Sequence, residues 1–220
     1  LDFMIKSTFL RLSILFITSF TLSLFNISQA QDDNTSKTSA ILILGDSLSA
    51  SFGMKQTQGW VHQLNQVLQQ ENAPYTLVNA SISGETTSGG LTRLPRILAK
   101  KKYDYLLIEL GGNDGLRGFP PSLIKNNLLQ IIRLAQQQGV KVALMDIKIP
   151  PNYGARYNKL FNQTFTQVAQ ESGIRLLPFF METIAIKPEL MQNDGIHPNI
   201  SAQPIIVDFM KQQFNTLITP

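Results

Sequence analysis

Five short apolar runs alternate with amphipathic stretches along most of this chain. The runs have the length and near-continuous hydrophobicity of buried strands, and they cover residues 41–44, 75–78, 105–110, 140–147 and 174–177. Strands of this kind are typical of a parallel sheet whose crossover helices cover both faces. The alternation therefore predicts a single α/β domain, a three-layer α/β/α sandwich with a five-stranded parallel sheet.

Apolar residues at helical spacing separate the predicted strands. The predicted helices cover residues 58–71, 91–98, 123–138, 157–171 and 201–217. Pro95 is expected to bend or shorten the second of them, because proline cannot donate the helical hydrogen bond. A flavodoxin-like strand order of 2-1-3-4-5 is favoured over another doubly wound order. A β/α barrel is excluded, because it would need about eight strand–helix units.

Residues 1–30 have the composition of a targeting segment. Lys6 and Arg11 precede an apolar run at residues 12–25. After the run, Ser28 and Ala30 provide the small residues of a cleavage site. As a helix the run would reach roughly 21 Å, short of the ~30 Å bilayer core, which favours cleavage over retention as an anchor. We therefore expect a signal peptide at 1–30, a flexible polar lead-in at 31–39 and a folded domain at 40–220. The mature protein would be periplasmic or secreted after cleavage near Ala30.

Composition narrows the classes of partner. The net charge is +4, and the only dense basic run is the lysine triplet at 100–102, so we expect no nucleic-acid partner. The chain has no cysteine, which excludes disulfides, thiolate metal sites and a lipid-modified cysteine. The exported domain must therefore be stabilised by packing alone. We expect a monomer with no stable membrane insertion after processing.

Unusual polar residues follow the predicted strands. Because the carboxyl ends of parallel strands meet at one edge of the sheet, the loops that follow them converge there. The polar residues of these loops are Asp46 and Ser47, Ser83 and Gly84, Asn113 and Asp114, and Asp194 with His197. Four loops carrying these residue types predict a chemical site at that edge.

Ser47 and His197 have the residue types of a nucleophile and its base. A serine hydroxyl is a poor nucleophile until a neighbouring base takes its proton, and the chain has only two histidines. His62 lies within a predicted helix with no acid near it and is interpreted as a surface residue. Asp194, three residues before His197, can fold back onto Nδ1 and leave Nε2 free for Ser47. The alternative is that Asp194 and Gly195 simply form a turn.

Acyl transfer also needs hydrogen-bond donors for the oxyanion of its intermediate. The main-chain N–H groups of Ser47 and Gly84 and the side-chain amide of Asn113 are three candidates. In isolation, Asn113 would be interpreted as a turn residue. A metal site is disfavoured, because no His-x-x-x-His or paired-carboxylate spacing occurs. We expect neither a metal nor a cofactor.

Four blocks of the chain resemble, in order and spacing, the consecutive blocks of the SGNH (GDSL-type) hydrolases. They are Gly-Asp-Ser-Leu-Ser at 45–49, Ser-Gly at 83–84, Gly-Gly-Asn-Asp at 111–114 and Asp-Gly-Ile-His-Pro at 194–198. The resemblance implies Ser47 as nucleophile, His197 as base and acid, Asp194 as its orienting acid, and Ser47, Gly84 and Asn113 as the oxyanion hole. It also implies an acyl-enzyme hydrolase of small-molecule esters and thioesters, namely acyl-CoA thioesters, lysophospholipids and aryl or short-to-medium acyl esters.

Residues on the loops beside this site are candidates for the apolar lining of the acyl site: Leu116, Ile149, Pro150 and Tyr153. Two places depart from the family pattern. Glu85 stands where the family leads us to expect aspartate, and Ser51-Phe52-Gly53 differs from a Gly-Tyr-type sequence. Both are expected to affect loop order and substrate choice. The alternatives to an esterase are a carbohydrate O-deacetylase, which the same fold supports, and a non-catalytic lipid- or glycan-binding domain.

Overall fold

A computed structural model describes residues 38–218 of the protein. Its sheet has five parallel strands in the order 2-1-3-4-5, as predicted. The strands are β1 (Ser39–Gly45), β2 (Tyr75–Asn79), β3 (Tyr105–Glu109), β4 (Lys141–Met145) and β5 (Arg175–Leu177). Because β1 and β3 have a strand on each side and helices on both faces, their residues are almost all buried. Their burial explains the near-continuous apolar runs of the sequence.

Six α-helices within residues 38–218 cover the two faces of the sheet. They are α1 (Trp60–Gln70), α2 (Thr87–Leu98), α3 (Gly112–Leu116), α4 (Pro121–Gln136), α5 (Ala155–Ser172) and α6 (Gln203–Ile218). Helix α1 packs against α6, while α4 packs against both α2 and α5. The predicted α/β/α sandwich is therefore confirmed.

Aromatic side chains pack against one another in both helical layers, between α1 and α6 and within α5. Trp60 of α1 stacks on Phe214 of α6 with ring centroids 6.5 Å apart. Phe161 and Phe165 of α5 meet edge to face with centroids 5.2 Å apart. All four side chains are completely buried. Truncating a buried aromatic side chain costs about 3–5 kcal/mol, so these contacts contribute strongly to a domain without disulfides.

The structure differs from the predicted elements in two main places. Helix α3 lies where a glycine-rich loop was expected, because a single helical turn is too short to show apolar periodicity. Helix α2 begins at Thr87, four residues before the predicted start at Leu91, and continues through Pro95 to the predicted end at Leu98. The other boundaries move by at most two residues, and they move because the ends of strands and helices carry little sequence signal.

The predicted signal peptide at 1–30 and most of the predicted lead-in lie outside the described residues. Strand β1 begins at Ser39, inside the range predicted as lead-in, because its N–H donates to the Pro74 carbonyl at 2.8 Å. Within residues 38–218, no helix combines the length and the apolar character that crossing a bilayer requires.

Candidate active site

Ser47 lies in the turn that directly follows β1, at the carboxyl edge of the sheet. Two hydrogen bonds to Asp46 stabilise the turn. The N–H of Leu48 donates to Asp46 Oδ1 at 3.1 Å, and the N–H of Ala50 donates to the Asp46 carbonyl at 3.0 Å. These bonds fix the turn, in which the half-buried Ser47 lines a cleft.

Ser47, His197 and Asp194 form one hydrogen-bonded chain. His197 Nε2 lies 2.8 Å from Ser47 Oγ, and Nδ1 lies 2.6 Å from Asp194 Oδ2. An ionised carboxylate can only accept, so Nδ1 carries the proton and Nε2 accepts from the serine hydroxyl. This is the arrangement in which imidazole can take the serine proton during attack on a carbonyl.

The loop that carries Asp194 also orients its carboxylate. Asp194 Oδ1 accepts the N–H groups of Ile196 and His197 at 2.9 and 3.0 Å. Partial burial acts to raise the pKa of Asp194, but these two amides and the imidazole outweigh it and lower the pKa to about 2. The carboxylate is therefore ionised at neutral pH and can stabilise a positively charged imidazole.

Phe52 packs against the ring of His197. The two ring centroids are 4.2 Å apart, with 31° between the planes. Ser51, the preceding residue, has a left-handed backbone conformation with φ of 61°, which is uncommon for a residue other than glycine. Gly59 lies so close to Ser51 that a Cβ at position 59 would fall 1.9 Å from Ser51 Oγ. Residues 51–53 thus combine a non-glycine residue in a left-handed conformation with an aromatic ring that packs on the imidazole.

Asn113 reaches the same cleft from the first turn of α3. Its Nδ2 donates one hydrogen to Asp46 Oδ2 at 3.1 Å, which leaves the second amide hydrogen for an oxyanion. Gly111 permits the approach of this helix: its φ is 118°, and a Cβ there would fall 2.9 Å from Phe165 Cζ. Gly84, the third candidate, is exposed, and its carbonyl accepts from Arg117 at the end of α3 at 3.1 Å.

We expect Asn113→Ala to lower kcat for ester hydrolysis by about 10²–10³-fold, the usual effect of removing one oxyanion donor. The effect should fall on kcat more than on KM, because the donor acts on charge that develops in the transition state. Steady-state kinetics on a p-nitrophenyl ester measure it. Asn126→Ala, at an exposed position of α4, is the matched control and should leave both constants unchanged. A kcat of Asn113→Ala equal to that of the wild type would contradict the assignment.

Ser47 lies in the wall of an apolar cleft of about 580 Å³. Three of the candidate acyl-site residues, Leu116, Ile149 and Pro150, also line this cleft. The fourth, Tyr153, at the end of the turn Pro151–Tyr153, does not. Further apolar lining comes from residues that the sequence analysis did not select: Ile147, Phe179, Met181, Ala185, Ile186, Met191 and Ile196.

Two acidic residues near the predicted site have structural contacts instead. Asp114 is completely buried and accepts from the N–H and hydroxyl of Thr87 at 2.9 and 2.6 Å, at the start of α2. Glu85 accepts from Arg93 Nε at 2.6 Å, and Gly89 leaves room for its carboxylate. The departure at Glu85 therefore anchors the loop after β2 to α2. Within residues 38–218, no cluster of three or more His, Cys, Asp or Glu side chains could hold a metal ion.

Comparison with known proteins identifies the family. The model of the GDSL-like Lipase/Acylhydrolase family matches residues 43–203. The arylesterase of Vibrio mimicus is 45% identical over 79% of this chain and 86% of its own length. Thioesterase 1/protease 1/lysophospholipase L1 of Escherichia coli (strain K12) is 46% identical over 81% of this chain and 84% of its own length.

Solved structures agree with the sequence matches. The psychrotrophic esterase EstA of Pseudoalteromonas sp., determined with monoethylphosphonate as inhibitor, superposes with a TM-score of 0.80 at 47% identity, covering 81% of this chain and 98% of EstA. TesA superposes with a TM-score of 0.77 at 44% identity, covering 81% of this chain and 99% of TesA. The resemblance found in the four sequence blocks is confirmed, and the chain belongs to the GDSL-like lipase/acylhydrolase family.

Proposed function

We propose that this protein is a serine hydrolase that cleaves carboxylic esters and thioesters through an acyl-enzyme on Ser47. The observation that carries the proposal is the hydrogen-bonded chain from Ser47 through His197 to Asp194, whose first two members line an apolar cleft. The names of the relatives, arylesterase and Thioesterase 1/protease 1/lysophospholipase L1, support the same reaction class. Small-molecule acyl esters and thioesters are the corresponding substrates.

In the first half-reaction, Ser47 Oγ attacks the acyl carbonyl while His197 Nε2 accepts its proton. The carbonyl oxygen becomes an oxyanion, which the N–H groups of Ser47 and Gly84 and the amide of Asn113 are proposed to bind. The imidazolium then gives its proton to the leaving oxygen or sulfur as the bond to the acyl carbon breaks. Asp194 keeps the ring in its orientation throughout and stabilises the positive charge of the imidazolium while the ring is protonated.

In the second half-reaction, water attacks the acyl group on Ser47. His197 accepts a proton from the water as the new C–O bond forms, and the same oxyanion donors bind the second tetrahedral intermediate. The proton then returns to Ser47 Oγ as the ester bond breaks and the carboxylic acid leaves. All the groups required are side chains, main-chain amides and water.

The lining of the cleft favours fatty-acyl or aryl substrates. Most of the side chains that line it are aliphatic, and they are joined by Phe179 and a smaller number of polar residues. A hydrophobic wall gains about 0.8 kcal/mol for each buried methylene, so longer acyl chains should bind more tightly. Lysophospholipids, acyl-CoA thioesters and aryl esters are the proposed classes. The apolar walls disfavour the alternative of a carbohydrate O-deacetylase, whose substrate would need many hydrogen-bond partners.

A chain-length series tests the substrate class. With p-nitrophenyl esters from acetate to palmitate, we expect kcat/KM to rise beyond acetate and to peak at a medium or long acyl chain. A parallel series of acyl-CoA thioesters should show turnover with the same preference. A maximum at acetate, together with release of acetate from acetylated xylo-oligosaccharides, would favour the deacetylase instead.

Export is part of the proposal. We propose that residues 1–30 are removed as a signal peptide and that the mature monomer works in the periplasm or outside the cell, as the sequence of this segment suggests. Intact-mass measurement of the exported protein should find an N-terminus at Gln31. An N-terminus at Leu1 or Met4 would contradict cleavage. Light scattering of the mature protein measures the oligomeric state.

A further inference from the structure

Glu109 is a completely buried acid at the end of β3, within a strand that is otherwise apolar. The reaction described above gives it no role. Its Oε2 accepts from the Ser49 hydroxyl at 2.8 Å and from the Asp46 N–H at 3.2 Å. These two donors lie one residue before and two residues after Ser47. Glu109 therefore ties β3 to the turn that carries the nucleophile.

The main chain of β1 is shaped around this carboxyl group. Gly45 pairs with Glu109 across the sheet, and a Cβ at Gly45 would fall 2.5 Å from Glu109 Oε2 and 2.8 Å from Ser81 Oγ. Neither Glu109 Oε1 nor Ser81 Oγ has a hydrogen-bond partner within residues 38–218. Glycine at position 45 thus lets the carboxyl group lie directly against the end of β1.

Within residues 38–218, Glu109 forms no ion pair with a cation. The titratable group that faces it from the turn after β1 is Asp46, which is also buried and would carry the same charge. The nearby cations have other partners. Lys148 pairs with Asp146 after β4 at 2.7 Å, and the charge of His197 lowers the pKa of Asp46. A buried carboxylate without a cation is strongly unfavourable, because burial removes its hydration, and such a group normally becomes neutral.

The two buried acids, Glu109 and Asp46, have different environments and therefore different charges at neutral pH. Burial, and then the charge of Asp46, raise the pKa of Glu109 well above its ordinary value. Burial also raises the pKa of Asp46, to about 6, where the Leu48 N–H, Glu109, His197 and Asn113 partly offset it. At neutral pH Asp46 is thus the ionised member of the pair. The Asp46 carboxylate accepts from the Leu48 N–H and the Asn113 amide, while Glu109 accepts from the Asp46 N–H and the Ser49 hydroxyl.

We propose that Glu109 is a neutral carboxylic acid that positions the nucleophile turn, and that its ionisation slows the reaction. The proposal rests on Ser47 being the nucleophile. As a neutral acceptor, Glu109 fixes Asp46 and Ser49 without adding a second negative charge beside Asp46. Loss of its proton would place a second negative charge against the turn that carries Ser47, and that charge would oppose formation of the oxyanion. The enzyme should therefore lose activity at alkaline pH.

Glu109→Gln and Glu109→Ala, in the full mature chain, separate neutral positioning from a charged role. Glutamine keeps the acceptor oxygen and mimics the neutral acid. We expect Glu109→Gln to retain kcat within about threefold at pH 7 and to lack the alkaline decline of the wild type. Glu109→Ala leaves two donors without a partner, so kcat should fall about 10- to 100-fold with little change in KM. Glu171→Gln, at a surface ion pair with Lys125, is the control and should behave as the wild type.

Two results would overturn the proposal. One is a kcat for Glu109→Gln as low as that of a folded Glu109→Ala, which would mean that the charge is needed. The other is the same pH profile for the wild type and Glu109→Gln from pH 6 to 10. If Glu109→Ala fails to fold, the glutamine profile remains the test. Infrared spectroscopy detects the proton on Glu109 without an activity assay. We expect the carbonyl band of a protonated buried acid in the wild type and its loss in Glu109→Gln. Should the wild type itself lack esterase activity, that band still tests Glu109, whereas the proposed function would have failed.

Discussion

Replacing Ser47 with alanine is expected to lower kcat for ester and thioester hydrolysis by about 10⁶-fold, the size of effect seen when the nucleophile of a serine-hydrolase triad is removed. The reason is geometric: Ser47 Oγ is the hydroxyl that lies 2.8 Å from His197 Nε2. Without it no acyl-enzyme can form on this residue, and labelling by a fluorophosphonate should disappear together with turnover. Both are measured on the purified mature protein, the first with a p-nitrophenyl ester and the second by intact mass.

His62→Ala is the control for this experiment. His62 is a half-buried residue of α1, outside the hydrogen-bonded chain of Ser47, His197 and Asp194, so its loss should leave kcat and labelling nearly unchanged. Two outcomes would contradict the assignment of Ser47. One is hydrolysis that persists in Ser47→Ala; the other is hydrolysis that depends on a divalent metal ion.

Asp194→Asn is expected to lower kcat by about 10⁴-fold at neutral pH. Asparagine can still accept the amides of Ile196 and His197 through one oxygen, so the loop should keep its conformation. Its NH₂ group, however, would face Nδ1 as a donor, favour the tautomer with the proton on Nε2, and remove the charge that stabilises imidazolium. Steady-state kinetics, with circular dichroism to check the fold, measure the effect.

The pH profile adds a second test of Asp194. Because the pKa of this carboxyl is lowered to about 2, it stays ionised from pH 4 upwards, and its own protonation should not contribute to the acid limb of kcat/KM above pH 4. Asp208→Asn, an exposed acid on α6, is the matched control and should behave as the wild type. A kcat for Asp194→Asn within about tenfold of the wild type would contradict the orienting role.

Much of the fold could be predicted because the strongest signals lie in its most buried parts. Strands β1 and β3 are continuous apolar runs, and this pattern occurs only where a strand has neighbours on both sides and helices on both faces. Helix α3 could not be predicted, since a five-residue helix that begins Gly-Asn-Asp-Gly has the composition of a turn. Tertiary contacts, not propensity, make it helical.

The polar residues of the site were easier to predict than its surroundings. Ser47, Asn113, Asp194 and His197 follow strands or precede the last helix, where polar types stand out against the core. Glu109 was included in an apolar strand, although a single acid in such a run is itself a signal of a buried polar network. Phe52 could not be placed, because the left-handed conformation of Ser51 that directs it is unusual for serine.

The cleft walls depended most on tertiary structure. Met181, Ala185 and Ile186 come from a segment of short 3₁₀ turns, which has neither the period of a helix nor that of a strand. Tyr153 was predicted to join them from its position in a loop beside the site. Proximity in sequence does not determine which loop residues line a cleft, and Tyr153 is not in its wall.

Trapping the acyl-enzyme tests the central proposal most directly. The mature protein is mixed with excess p-nitrophenyl decanoate, quenched in acid within the first turnovers, digested and analysed by mass spectrometry. We expect one decanoyl group on the peptide that contains Ser47, and fragmentation should place it on that serine. Rapid turnover with no acyl adduct on Ser47, or with the adduct on another residue, would contradict the account.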